Sequence, residues 1–445
     1  MSEILRSVGL DVGTTSTQLI LSELTVENKA GAFSVPEMEI AERKIRYRSP
    51  VYFTPLLDAS HMDGERLRNI VETEYLAAGI TRESVDTGAI IITGETSRKE
   101  NAEAVLHALS DLAGDFVVAT AGPDLESFLA AKGSGAVSWS EKTGKTVLHM
   151  DIGGGTSNLA LIENGKIIQT GCLNVGGRLM KLDKNGYILY ISPVLTDIST
   201  LKVGDFPCES QLSELTGILT SALEMAAGLR PVSPLLEKLA TKEIGRPWIP
   251  PEKPVLVSFS GGVADCIDTR HEPLAFGDIG PLLGQAIRES ALCRGDYILG
   301  QETIRATVIG AGCHATQLSG STVFCQNVCL PLKNLPVLDS PSARTDHPTP
   351  IYALEGTASP SYARIAELAQ QLIIQTRPPY YFCICQDMAK ALGQALAARL
   401  PKDASILCLD RVAVSQGSYL DIAPPVAQAF PVVIKTLVLG NDAKE

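Results

Sequence analysis

Apolar and polar positions along this chain fall into short alternating or buried runs, cut by glycine-rich turns and by a smaller number of helical repeats. Ser7 to Val12 and Gln18 to Leu24 read as the strands of a hairpin. Met38 to Val51 reads as a strand in which Glu, Arg and Lys alternate with Ile40, Ile45 and Tyr47, the charges making a solvated face. Asp63 can cap a helix over Gly64 to Ala78 that Gly79 ends. Gly88 to Thr93 is a buried strand, Asn101 to Leu112 an amphipathic helix, Phe116 to Ala121 a strand and Pro123 to Lys132 a helix. Gly133 to Lys145 reads as an exposed connection.

The second half begins with an apolar strand from Val147, and Lys166 to Cys172 is a further strand. Val175-Gly176-Gly177-Arg178 reads as a turn into a helix, Tyr187 to Val194 as a strand, and Ser210 to Leu229 as a helix with Leu212, Leu215, Leu219 and Leu223 at helical spacing. Pro231 to Pro254 is proline-rich and irregular. Val255 to Ser260 is a buried strand ending at Gly261-Gly262, Gly280 to Leu292 a helix, and Ile304 to Ile309 a strand running into Gly310-Ala311-Gly312. Asn334 to Pro360 reads as a linker. Beyond it, Ser361 to Gln375, Tyr380 to Cys385, Asp387 to Arg399, Ile406 to Leu409 and Val432 to Leu439 alternate helix and strand, closing on an apolar strand, as in a small α/β domain.

Chemistry concentrates at one glycine-rich turn. The strand ending His149-Met150-Asp151-Ile152 meets Gly153-Gly154-Gly155-Thr156, and an alternating strand leaves through Leu159 and Leu161. Successive glycines let several backbone N–H groups converge on one point, which is how a hairpin holds a phosphate. Asp151, just before the turn, can hold a metal-bound water. The plainer reading is a hairpin whose glycines only satisfy turn geometry. Near the N-terminus the chain repeats the pattern without a gap: Asp11-Val12-Gly13-Thr14-Thr15-Ser16-Thr17-Gln18-Leu19-Ile20-Leu21 lies on Asp151 to Leu161, with Asp, Gly, hydroxyl, amide and Leu positions coinciding. A repeat over so long a distance indicates two related domains rather than a solenoid. Two facing hairpins, each with an Asp at its mouth, would clamp a polyphosphate and its metal. Thr93-Gly94-Glu95 stands at another strand end, where Glu95 can orient a water or cap the following helix.

Length and charge narrow the class. The chain has 445 residues, enough for two or three domains. A net charge of −12 argues against a nucleic-acid or anionic-membrane binder, and no apolar run reaches a membrane span. The start, with Glu3 and Arg6 inside a strand pattern, is not read as a signal peptide, and the expected location is cytoplasmic. Ten cysteines are scattered without any C-x-x-C, several in apolar strand-like runs, and are expected to be buried and reduced. The six histidines form no spaced cluster, and for His149 a structural role is expected. Gly144-Lys145-Thr146 imitates the end of a P-loop, but Trp139 stands where its first glycine belongs.

The ordered set of Asp-Gly hairpin, strand ending at Gly94, second Asp-Gly hairpin, Ser-Gly-Gly strand end and Gly-Ala-Gly resembles the actin, sugar kinase and heat-shock ATPase superfamily. That resemblance implies an α/β protein of two actin-like ATPase (ribonuclease H-like) domains, residues 1–148 and 149–312, with ATP and Mg²⁺ in the cleft between them, and a linker and C-terminal α/β domain over residues 313–445. It implies Asp11 and Asp151 as holders of the Mg²⁺ waters, with Asp151 or Glu95 positioning the attacking water. Gly13, Thr14, Thr15 and Ser16, with Gly153, Gly154, Gly155 and Thr156, would cradle the phosphates. Gly261 and Gly262 would lie against the adenosine, and Gly310 belongs to the second connecting motif. The first connecting motif, near Gly94 or Gly122, is not evident.

More narrowly, the chain resembles the ethanolamine ammonia-lyase reactivating factors. Ser7 to Thr17, Ile91 to Thr96, His149 to Thr156, Asn174-Val175-Gly176-Gly177-Arg178 and Pro431 to Val438 carry that resemblance. It implies a chaperone for ethanolamine ammonia-lyase holoenzyme whose adenosylcobalamin has been damaged, exchanging damaged for intact cofactor with ATP and Mg²⁺ during ethanolamine utilisation. It also implies association with the ethanolamine microcompartment. No D-x-H-x-x-G motif occurs, so no tightly bound cobalamin of its own is expected. Homo-oligomerisation is left open. A small-molecule kinase and an actin-like assembly ATPase are the alternatives. An Fe–S dehydratase activator is disfavoured by the cysteine spacing.

Overall fold

In the computed structural model, β1 (Glu3–Val12) and β2 (Ser16–Asn28) form an antiparallel hairpin. β3 (Met38–Arg48) and the short β4 (Tyr52–Phe53) pair with β2. On the other side of β1 lie two parallel strands, β5 (Thr87–Ile92) and β6 (Val117–Thr120). The structure describes residues 3–13, 16–30, 38–58, 61–93, 101, 104–105, 109, 117–120, 123–241, 247–253, 255–300, 302–314, 316–320, 322–341, 349–357, 359–412, 414, 418–426 and 429–436.

The second sheet repeats the first. β7 (Val147–Ile152), β8 (Ser157–Glu163) and β9 (Lys166–Leu173) run antiparallel, and the parallel strands β12 (Leu256–Ser260) and β13 (Tyr297–Leu299) lie beyond β7; the ribbon β10 (Met180–Leu182) and β11 (Ile188–Ile191) stands apart. The orders β3-β2-β1-β5-β6 and β9-β8-β7-β12-β13 match strand for strand in direction, which is the duplicated ribonuclease H-like fold. β5 and β7 are buried at every position, so both faces of each are covered.

The third sheet contains β14 (Thr316–Leu318), β15 (Phe324–Gln326), β16 (Leu332–Leu338), β17 (Ile351–Leu354), β18 (Tyr380–Ile384), β19 (Ile406–Asp410), β20 (Ser418–Ile422) and β21 (Pro431–Thr436). Its order is β14-β21-β20-β16-β17-β18-β19-β15, with β16 to β19 parallel. Helices Tyr362–Gln375 and Ala389–Ala397 pack on one face through Ile365, Leu372 and Leu392. This sheet rests on the first: Thr316 and Thr87 share a hydroxyl hydrogen bond of 2.8 Å, and Val433 packs with Ala89 and Ile91.

Elements with a cap or a sharp period in the sequence form where expected. Asp63 accepts from the Arg66 amide at 3.0 Å at the head of helix Gly64–Ala78, and Gly79 ends that helix at φ 67°. Five readings differ. Ile304 to Ile309 is not a strand: Ala306–Ile309 is helical and passes into a wide turn over Gly310–His314. Ala306–Ile309 is buried at every position, and so short a buried run carries no period to separate strand from helix. Arg178 leads into the β10–β11 ribbon rather than a helix, because Asp183 accepts from the amides of Asn185 and Tyr187 and closes an Asn-Gly turn. The stretch after Gly133 holds helix Ala136–Thr143, which buries Ala136 and Ser140. Pro231 to Pro254 includes helix Pro234–Leu239, capped by Ser233. The expected linker supplies the end of β16 and all of β17. The helix expected over residues 101–112 lies largely outside the described residues.

Two glycines let the halves meet. Helices Pro123–Gly133 and Ala306–Ile309 cross so closely that a Cβ on Gly133 would overlap the Ala306 carbonyl oxygen, and one on Gly310 the Leu129 carbonyl oxygen. Gly133 and Gly310 thus stand on opposite sides of one helix crossing; Gly94 and Gly122, near which the first connecting motif was not evident, lie outside the described residues. Since backbone atoms fill that space, Gly133→Ala is expected to cost about 1–3 kcal/mol of stability, measured by denaturant unfolding.

Candidate functional site

The two hairpins face one another across a cleft of about 580 Å³. Register makes the repeat geometrical. Asp11 stands opposite Gln18 on the neighbouring strand, and Asp151 opposite Asn158. The Gly13 amide donates to the Ser16 carbonyl and the Gly153 amide to the Thr156 carbonyl, each at 2.9 Å. All eight of these residues line the cleft.

The carboxylates are held differently. The Thr93 hydroxyl donates to Asp11 Oδ1 at 2.9 Å. Asp151 is 8% exposed; Ser260 Oγ donates to its Oδ1, and Thr307 Oγ1 lies 3.3 Å from its Oδ2. Burial pushes Asp11 up to about 7, opposed by the Thr93 bond and reinforced by the charge on Asp151. Burial likewise pushes Asp151 up to about 6, opposed by its bonds from Ser260 and Thr307. Among the described residues, no cation offsets either shift. Behind Asp151, His149 is fully buried, with Nδ1 3.1 Å from Ser258 Oγ and Nε2 2.9 Å from Ser260 Oγ. Burial lowers this imidazole to about 3, so the ring is neutral.

Further residues complete the walls. Glu126, on helix Pro123–Gly133, is 6% exposed and accepts from Asn158 Nδ2 at 2.8 Å. Gln18 Nε2 donates to the Ile304 carbonyl at 3.0 Å, reaching across to the other half. Arg178 pairs with Asp278 at 3.0 Å, and its guanidinium lies 5.2 Å from the centre of the Phe53 ring on β4. Phe53 belongs to the first hairpin's sheet and Arg178 to the second half, so this contact bridges the mouth. Arg48 and Glu302 pair at 2.6 Å between the same two halves.

Of the residues singled out in the sequence, Asp11, Gly13, Ser16, Asp151, Gly153, Gly154, Gly155, Thr156, Gly261 and Gly262 line one cleft. Gly261 has φ 88° and lies against the Ile152 backbone, so its glycine character serves the junction of β12 with β7. A Cβ on Gly262 would meet only the Ile304 side chain, at ordinary contact distance. Gly310 does not reach the cleft; it sits in the helix crossing. Thr14, Thr15, Gly94 and Glu95 lie outside the described residues. The sequence carries no signal for Glu126 or Thr307 and no site role for Arg178; Thr93 stands in the strand end noted with Glu95, and Gln18 in the amide match with Asn158.

The donor set fits a hydrated divalent cation and a polyphosphate. Two buried carboxylates face one space, and neither is ion-paired among the described residues. Beside them, Gln18 Oε1 and Asn158 Oδ1 are buried acceptors without a protein partner. Glycine amides border the same space. Among the described residues, no cluster of three His, Cys, Asp or Glu side chains makes a direct metal cage.

Comparison with known proteins agrees on the family. The model of the family described as "Ethanolamine utilisation protein EutA" matches residues 3–351 and 345–440. The chain is 38% identical over 476 residues to the "Ethanolamine ammonia-lyase reactivase EutA" of Salmonella typhimurium, covering 98% of this chain and 99% of that protein. The protein of the same description from Escherichia coli is 38% identical over 477 residues, with the same coverage. Among solved structures, the Aquifex aeolicus PPX-GPPA enzyme superposes with a TM-score of 0.42 at 13% identity, over 69% of this chain and 99% of that one. The ethanolamine utilization protein EutJ from Carboxydothermus hydrogenoformans gives 0.33 at 18% identity, over 69% of this chain and 89% of that one. Matched along almost its whole length by the family model and by two relatives, this chain belongs to the ethanolamine utilisation protein EutA family.

Proposed function

We propose that this chain is an ATP-dependent reactivating chaperone for ethanolamine ammonia-lyase. It would act on holoenzyme carrying damaged cobalamin and promote exchange for intact adenosylcobalamin. Identity over nearly the full length to two proteins described as ethanolamine ammonia-lyase reactivases carries this reading. The kinase and filament alternatives find no such support. No helix among the described residues is long and apolar enough to cross a membrane. A cytoplasmic site of action, within reach of the ethanolamine microcompartment, goes with the proposal.

Asp11 and Asp151 would hold Mg²⁺ through its waters, with Gln18 Oε1 and Asn158 Oδ1 as further acceptors. The Gly13–Ser16 and Gly153–Thr156 turns would take the phosphates, and Gly261-Gly262 the adenosine end. Bound Mg²⁺ would neutralise triphosphate charge and polarise the terminal phosphoryl group. Glu126, a carboxylate of the cleft that stands on a helix rather than at a hairpin mouth, would accept the proton of the attacking water at a carboxylate oxygen. Arg178 over Phe53 and Arg48 with Glu302 would hold the halves closed around the nucleotide. Closure would present the lyase with one arrangement of the halves and opening with another. Shifting such an equilibrium from 1:99 to 99:1 takes about 5.5 kcal/mol of differential affinity.

The reactivation assay tests the reading. Ethanolamine ammonia-lyase is inactivated in turnover, then given this chain, ATP, Mg²⁺ and fresh adenosylcobalamin. Recovery of lyase activity is expected, and its absence would overturn the proposal. Glu126→Gln should lower ATP turnover by at least about 100-fold while nucleotide still binds.

Asp151→Asn should abolish ATP turnover without unfolding the chain. Its stability has a sign of its own. The folded-state pKa of Asp151, about 6, lies above the ordinary carboxylate value, so the native state binds more protons than the unfolded chain between these values. Stability is therefore fully present below about pH 4 and lost as pH rises through 6. In nucleotide-free protein at pH 8, Asp151→Asn should be the more stable by about 3 kcal/mol, and the gap should close by pH 4.

A further inference from the structure

The duplicated sheets differ in one buried feature. On β7, His149 pairs in register with Ser258 of β12, and Asp151 pairs with Ser260. The equivalent pairs in the first sheet are Gly9 with Ala89 and Asp11 with Ile91. The second half thus carries three polar side chains, His149, Ser258 and Ser260, where the first carries none. All three are at most 1% exposed. Buried polar groups cost stability unless each finds a partner, and the first sheet folds without them. Fold alone therefore does not call for them.

Hydrogen-bond direction shows where the group leads. The Asp151 carboxylate only accepts, so Ser260 Oγ donates to it. Ser260 then accepts from Nε2–H of His149 at 2.9 Å, and Nδ1 accepts from the Ser258 hydroxyl at 3.1 Å. One tautomer, Nε2–H, satisfies the whole series. Every bond is polarised towards Asp151, and such chains strengthen one another where water is excluded. Asp11 takes its hydroxyl bond from Thr93 beyond the end of β5, and among the described residues no further polar side chain continues that bond.

We propose that His149 is a positioning residue for Asp151, acting through Ser260 to hold one carboxylate oxygen in place so that the group meets the Mg²⁺–nucleotide complex in a fixed orientation. This rests on the Mg²⁺–ATP reading of the cleft. Groups one step removed from a metal-binding side chain are commonly worth about 10–100-fold in affinity or activity. His149→Leu keeps the volume and removes the relay. His149→Gln keeps it, since the amide nitrogen can donate to Ser260 and the amide oxygen can accept from Ser258.

The experiment measures ATP turnover at saturating nucleotide, the Mg²⁺ concentration giving half-maximal turnover, and the thermal midpoint of the full chain. His149→Leu and Ser260→Ala are each expected to lower turnover about tenfold and raise the Mg²⁺ requirement, with folding retained. The double variant should be no worse than Ser260→Ala alone, because both substitutions cut the same chain of bonds. His149→Gln should recover turnover to within about threefold of the parent. Parental turnover and Mg²⁺ requirement in His149→Leu, or multiplying effects in the double variant, would overturn the proposal. Should His149→Leu fail to fold, Ser258→Ala decides: a reduced turnover supports the relay and an unchanged one overturns it. Absence of Mg²⁺-dependent turnover in the parent would overturn the nucleotide reading and this inference with it, whereas an active parent with unaffected variants overturns the relay alone.

Discussion

Asp11 and Asp151 stand at the mouths of two hairpins on different sheets, close enough that the charge on one raises the cost of charge on the other. Burial adds to that cost for both. A chain selected only for stability would place amides or apolar side chains there. Instead the fold surrounds the pair with hydroxyl donors from Thr93, Ser260 and Thr307 and, among the described residues, pairs neither carboxylate with a cation. The instability is local, and on the proposed reading a bound divalent ion would offset it. The glycine turns leave room for phosphates, and the unpartnered amide oxygens of Gln18 and Asn158 point to further ligands in the same space.

For such a site to do mechanical work, the halves that carry the two carboxylates must stay joined and still move. The joint is the crossing of helix Pro123–Gly133 with Ala306–Ile309, where glycine at 133 and 310 brings backbone against backbone. Glu126 and Thr307 lie on these two crossing helices and both line the cleft. A shift in how the helices cross therefore changes the surroundings of Asp151 directly, since Thr307 bonds to it. Away from the joint, the halves touch at the mouth through Arg178 over Phe53 and through Arg48 with Glu302, exposed or half-exposed contacts worth about 1 kcal/mol or less each. A firm joint with weak clasps at the mouth suits a clamp that ligand binding can close.

How much of this is legible in the chain depends on whether function and packing share a signal. The eleven-residue echo of Asp11 to Leu21 in Asp151 to Leu161 carries over into strand order, register and turn hydrogen bonds, because hairpin geometry is a local property. Asp63 and Gly79 mark a helix for the same reason. Glu126 is invisible to such reasoning. An acidic residue in the first turn of a helix is what the helix dipole favours anywhere, so nothing local distinguishes it from a solvated one. The crossing at Gly133 is set by tertiary approach, and Ala306–Ile309 lacks a period because every position in it is buried. In the third sheet, short strands flanked by proline and polar residues resemble a linker until their partners are seen. His149 was expected to be structural; its hydrogen bonds make it structural with a direction.

The most direct test of the clamp is where it puts metal and nucleotide. Crystals of the full chain grown with ATP and Mn²⁺, which stands in for Mg²⁺ and scatters anomalously, would locate both in one experiment. The account predicts an anomalous peak between the Asp11 and Asp151 carboxylates, with phosphate density against the Gly153–Thr156 turn and the adenosine end near Gly262. A metal peak or nucleotide outside the cleft, or bound to one hairpin with the other carboxylate turned away, would contradict it.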